Sequence, residues 1–220
     1  MNDHQKLQQK QLLQPQNFIV AMAVTMVYII LPFTRSYLDQ NYRFILTGIT
    51  ILTGVIVLWQ LKKYLFNFSS NKAMYWINRT IIMSIILAVI DPISNRRFFH
   101  LINNIQPILS LSFFLIVMAI WYLTIYASVR LGSALRNIEN DTIGLIHLLG
   151  NSLLYLIPSA ILITIGVSGI ILKNNTLKTS LSPLLGISHI LFLIPKVIMF
   201  LIFLRAKKYQ GQQIVEPDIA

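Results

Sequence analysis

Acidic side chains are almost missing from this sequence. Seven Asp and Glu stand among 220 residues, and all charged residues together make up 11% of the chain. An ordinary soluble domain carries roughly a quarter. No carboxylate lies deep within an apolar run; Asp91, just before Pro92, comes nearest. A carboxylate-driven proton pump and an intramembrane aspartyl protease therefore lack their machinery. Cysteine is absent altogether, which excludes disulfides, thiol catalysis and cysteine-ligated metal. There is no GxxxxGK[ST] phosphate loop and no HExxH helix. The four histidines do not assemble a metal or haem site. His100 and His189 lack a third ligand, and His147 and His189 fall near opposite ends of neighbouring apolar runs. No cofactor is expected.

What is abundant is hydrocarbon. Hydrophobic residues make up 55% of the chain and the mean hydropathy is +0.68. A soluble chain this short cannot bury that much apolar surface, so the solvent is lipid. The 18 Lys and Arg give a net charge of +11. They lie mostly between apolar runs, where they act as topology signals and contacts for anionic lipid headgroups rather than for nucleic acid.

A bilayer core needs about 20 apolar residues per helix. Six runs qualify: Asn17–Phe33, Phe44–Leu61, Ala73–Ile90, Pro107–Ser128, Ser152–Leu172 and Leu184–Leu204. The expected fold is all-α, a six-span membrane bundle over 17–204. A Gln-rich tail, 1–16, precedes it, and a basic then polar tail, 205–220, follows. The third run is the weakest, because Asn78 and Arg79 interrupt it. The fifth continues backward through Gly144–Asn151. Phe33-Thr34-Arg35-Ser36-Tyr37 follows the first run without a small-x-small cleavage site, so that run is read as an anchor. Counting basic residues beside the spans gives ten on the side of the N-terminus and six on the other. The positive-inside rule then puts both termini in the cytoplasm, in a plasma (inner) membrane.

An ionisable group inside a span is a functional hypothesis by default. Lys196 is the strongest, deep in the sixth run beside Pro195 and seven residues after His189 on nearly the same face. His147 and Asn151 lie one turn apart on the fifth helix, and Arg79 lies on the third. Arg79, His147, Asn151 and Lys196 are expected to meet in a basic, inward-facing vestibule for an anion: a lipid headgroup, a carboxylate or a phosphate. Otherwise Lys196 snorkels to the headgroups and the others face lipid separately.

Small residues recur every four positions at Thr50 and Gly54, and at Ala160, Thr164 and Ser168, a helix-packing pattern. Gly166-Val167-Ser168-Gly169 resembles the GxSG of rhomboid intramembrane proteases, and His147-x-x-x-Asn151 resembles their oxyanion pair. The order departs from that family, since here both motifs sit on one helix about five turns apart. The family's large first loop is also missing. The sequence thus reads as a non-enzymatic membrane protein. It is a small transporter or channel protomer, or a membrane subunit, working as a homo-oligomer or with another protein. The alternative is an intramembrane enzyme acting on lipid or peptide through Ser168 or a histidine.

Overall fold

A computed structural model describes residues 18–34, 40–66, 70–93, 107–138, 144–171 and 175–215. Among these residues 95% are helical and none is in a strand. The helices are α1 (Phe18–Thr34), α2 (Gln40–Leu65), α3 (Asn71–Ile93), α4 (Pro107–Leu135), α5 (Ile146–Leu154), α6 (Leu156–Ile171) and α7 (Asn175–Val215). Long apolar runs fold this way because hydrocarbon offers no partner for a bare N–H or C=O, and a helix satisfies both internally. Buried hydroxyls follow the same rule. Thr25 donates to the Ala21 carbonyl at 2.6 Å, Ser152 to Leu149 at 2.7 Å and Ser159 to Tyr155 at 2.8 Å.

Four segments are long and apolar enough to cross a membrane: Ile45–Leu65, Asn71–Ile90, Ser112–Leu135 and Ile146–Ile165. The shortest is 20 residues, about 30 Å at 1.5 Å per residue, which matches the bilayer core. α1 is a shorter apolar helix of 17 residues, and α7 is the longest at 41. Asn78 and Arg79 do not interrupt α3; both point outward, and Arg79 lies 5.0 Å from the Tyr75 ring one turn earlier.

The fifth run is two helices. Pro158 has no N–H to give the Leu154 carbonyl, and the ladder breaks at Tyr155 between α5 and α6. The helix enters after Gly144, whose φ of 71° suits a residue without a side chain. Helix continues beyond the apolar runs in two places. α2 runs on through Tyr64 and Leu65, both buried, and α7 runs past Tyr209 to Val215. The N-terminal tail, the Arg96–Ile102 stretch and Glu139–Asp141 lie outside the described residues.

The helices close into a ring. α1 packs on α2, α2 on α3, and α3 on α4. The α5–α6 pair packs between α4 and α7, and α7 returns to α1. Neighbours alternate in direction. Phe18, at the start of α1, meets Tyr64, near the end of α2. Trp76, early in α3, meets Tyr126, late in α4. Gly132 meets Gly150 where α4 crosses α5. Three residues separate α6 from α7, which packs back against it.

Each column of the ring turns large apolar side chains outward. Ile19, Leu52, Val89, Leu115, Ile161 and Ile190 are all more than half exposed. A belt of this kind around the whole circumference has no place in water, and it is what a lipid-facing bundle presents. Among the described residues the tightest packing lies at one end of the ring. Leu61, Leu65, Ile77, Leu131, Leu135, Leu149, Ile202 and Phe203 are 0–1% exposed there.

Candidate functional site

The centre of the ring holds a cavity of about 250 Å³. Every column contributes to its wall: Tyr28 from α1, Gly54 and Leu58 from α2, Thr80 and Ser84 from α3, Trp121, Thr124 and Ser128 from α4, Leu153 and Leu156 from α5 and α6, and Phe192 and Lys196 from α7. Leu61, Leu131 and Leu149 form its floor at the tightly packed end.

Lys196 is the cation in this wall. Its ammonium lies 4.0 Å from the centroid of the Tyr28 ring, across from α7 to α1. It is turned into the bundle, and the stacking replaces the headgroup contact of a snorkelling lysine. A desolvated cation–π pair of this kind is worth about 2 kcal/mol, against an insertion cost of about 2.5–3.5 kcal/mol for a lysine at helix centre. Gly54 makes the arrangement possible. A Cβ at Gly54 would stand 3.0 Å from the Tyr28 ring carbons, so a side chain there crowds the tyrosine. Pro195, beside the lysine, cannot donate to the Leu191 carbonyl and loosens the helix at that level.

Four hydroxyls of the wall have a fixed polarity, while the Ser84 and Tyr28 hydroxyls and the Trp121 N–H line it as well. Thr50 donates to the Leu46 carbonyl at 2.8 Å and Thr80 to Trp76 at 2.9 Å. Thr124 donates to Ile120 at 2.8 Å and Ser128 to Thr124 at 2.9 Å. A hydroxyl has one proton. With that proton bound to its own helix, each oxygen offers the cavity lone pairs only.

The other residues singled out in the sequence lie elsewhere. Arg79 and Asn151 are exposed, His147 is half-buried, and none of the three lines the cavity. The expected four-residue vestibule is not formed; of that set, only Lys196 reaches the centre. The side chains of His189 and Ser168 lie outside the described residues. Among the packing residues, Thr50 and Gly54 face the cavity, and Ala160 is buried. Thr164 gives its proton to the Ala160 carbonyl and is hydrogen-bonded to the Tyr122 hydroxyl, tying α6 to α4.

Two features escaped the sequence reading. Tyr28 sits in an unbroken apolar run, where nothing marks its ring as the partner of a lysine 168 residues later. The Gly132–Gly150 crossing had a partial signal in Ser128-x-x-x-Gly132, a small pair at helical spacing.

Among the described side chains, the tightly packed end is also the basic end. Alternating directions bring together Lys62 and Lys63 of α2, Lys72 and Arg79 of α3, Arg130 and Arg136 of α4, and Arg205, Lys207 and Lys208 of α7. Aromatic rings hold several of these cations. Lys62 lies 4.9 Å from the Trp59 ring. Arg130 lies 5.8 Å from the Trp76 ring and 5.5 Å from that of Tyr126, and its Nε donates to the Tyr126 hydroxyl at 3.0 Å. Aromatic rings beside Lys and Arg are typical of a membrane–water interface. No group of three or more His, Asp or Glu able to hold a metal occurs among the described residues.

The fold defines an apolar helical bundle compatible with an integral membrane protein. No protein-family model, curated protein or solved structure matches the chain.

Proposed function

We propose that this chain crosses the plasma membrane six times with both termini in the cytoplasm, and that its central cavity holds an anion at Lys196. It acts as a small transporter or channel protomer, or as the membrane subunit of a larger assembly. The observation that carries the reading is the Lys196 ammonium turned into a cavity that every column of the ring lines. A positive charge carried to the middle of a span at such cost marks a ligand or ion path. With Leu61, Leu131 and Leu149 packed beneath it, the site we propose is shut from the cytoplasm rather than inward-facing. The ring has six columns, and its first and last helices begin and end at the basic end. By the positive-inside rule that end is cytoplasmic, where its Lys and Arg meet anionic lipid headgroups.

Reporter fusions after Leu61, Ser128 and Leu204 test the topology, and all three should report cytoplasm. An external signal after Leu204 would remove one crossing and the orientation with it. The anion site is tested by iodide quenching of Trp121, which lines the cavity, in a chain carrying Trp59→Phe and Trp76→Phe. Lys196→Met should cut iodide quenching severalfold and leave quenching by neutral acrylamide unchanged. Equal iodide quenching with and without the lysine would end the anion reading.

A further inference from the structure

The polarity and size of the cavity narrow its occupant. We infer that it takes a small aliphatic monocarboxylate, with one carboxylate against Lys196 and a hydrocarbon body of about six carbons along the apolar wall. The inference rests on the anion reading above and specifies its ligand class.

Charge is the first argument. Among the described residues Lys196 is the cation that reaches the cavity; Arg79 and Arg130 are held on aromatic rings outside it. One ammonium balances one negative charge. A doubly charged phosphate would keep a second charge uncompensated in a medium where that is costly.

Hydrogen-bond polarity is the second. The protons of Thr50, Thr80, Thr124 and Ser128 are committed to backbone carbonyls. Their lone pairs repel an anionic oxygen. A tetrahedral oxyanion presents three or four oxygens that each need donors, and besides Lys196 the wall holds three further donor groups, the Ser84 and Tyr28 hydroxyls and the Trp121 N–H. A carboxylate has two oxygens, and an ammonium has three protons to give.

Volume and lining are the third. An apolar cavity of about 150 Å³ holds benzene, six heavy atoms, so one of about 250 Å³ has room for roughly ten, the range of hexanoate to octanoate. Away from Lys196 the wall is apolar, with Leu58, Ile125, Leu156, Phe192 and Met199 at hand for a hydrocarbon tail. The floor at the cytoplasmic end is apolar as well, so the tail has an apolar surface to cover.

The test uses the full chain in non-ionic detergent at pH 7, with Trp121 as the reporter in the Trp59→Phe, Trp76→Phe background. Carboxylates of two, four, six, eight and twelve carbons are titrated beside 1-hexanol, hexylamine and inorganic phosphate. Affinity should climb about fourfold per methylene as far as hexanoate or octanoate, and then flatten or fall. Hexylamine should bind at least tenfold more weakly than hexanoate. Lys196→Met should weaken hexanoate at least tenfold while leaving 1-hexanol within twofold, which also shows that the cavity is intact. Lys196→Arg, which keeps the charge, should retain hexanoate binding. Lys196-dependent iodide quenching with phosphate as strong a competitor as hexanoate, or with no hexanoate binding at all, would overturn the ligand class and leave the anion site standing. Hexanoate affinity that ignores Lys196, or that rises without limit to the twelve-carbon acid, would overturn the class as simple partitioning. Only loss of the iodide dependence would overturn the anion site itself.

Discussion

Gly132→Leu should strongly destabilise the bundle, and Gly150→Leu should nearly equal it. The contact is reciprocal. A Cβ at Gly132 would lie 2.7 Å from the Gly150 carbonyl oxygen and 2.9 Å from Leu153 Cβ. A Cβ at Gly150 would lie 2.8 Å from the Gly132 carbonyl oxygen and 2.9 Å from Arg136 Cγ. In each case the nearest obstacle is backbone, which cannot swing aside as a side chain can, so α4 and α5 must move apart. Overpacking a well-filled site costs about 1–3 kcal/mol, and a leucine at a backbone crossing belongs at or above the top of that range. Even Gly132→Ala should lower the thermal midpoint in detergent. Gly48→Ala is the control, because a Cβ there meets nothing within 4 Å. That change should be neutral or stabilising by up to about 1 kcal/mol, the helix propensity gained over glycine. Similar midpoints for the Gly48 and Gly132 alanine variants would show that α4 and α5 do not cross here.

Tyr28→Ala should produce the second large effect, and its size should depend on Lys196. Removing a large aromatic side chain from a packed site costs about 3–5 kcal/mol. Here the loss also strips the ammonium of the ring it lies on, 4.0 Å from the centroid. In the Lys196→Met background the cation–π part, about 2 kcal/mol, is already gone, so Tyr28→Ala should cost correspondingly less. Lys196→Met alone should be neutral or mildly stabilising, since the insertion cost of about 2.5–3.5 kcal/mol exceeds the stacking it forfeits. Thermal unfolding of the four proteins in the cycle measures the coupling directly. Strict additivity would mean that Lys196 and Tyr28 do not interact.

These two predictions also mark where sequence reasoning reached and where it stopped. Helical class and lipid as solvent followed from apolar runs about as long as a bilayer is thick. Lys196 stood out because an intramembrane cation is costly wherever it faces. Its neighbours did not, because a single helical run carries no information about which helix closes a ring. Arg79, His147 and Asn151 shared a depth with one another along the chain, and depth alone suggested convergence. The azimuth of each helix is set by packing against its neighbours, as where Gly132 meets Gly150, and Arg79 and Asn151 face outward. The cavity hydroxyls were invisible for a related reason. Thr80, Ser84 and Ser128 are unremarkable in a membrane helix until all of them are seen to face one space. The α5–α6 break was readable in principle from Pro158, and the extension of α7 past Tyr209 was masked by its polar composition.

The absence of cysteine permits one direct test of a central, water-reachable cavity inside a lipid-facing ring. Thr124 lines the cavity, while Leu123, at nearly the same depth, is 49% exposed on the outer face. Thr124→Cys and Leu123→Cys are made singly, and each protein is treated in reconstituted vesicles with a water-soluble, membrane-impermeant thiol reagent. The reagent reacts with the thiolate, which forms in a hydrated cavity beside Lys196 and not in hydrocarbon. Thr124→Cys should be labelled and Leu123→Cys should not, with labelling of Thr124→Cys slowed by hexanoate. Labelling of Leu123→Cys alone, or equal labelling of both, would contradict the cavity and the ring built around it.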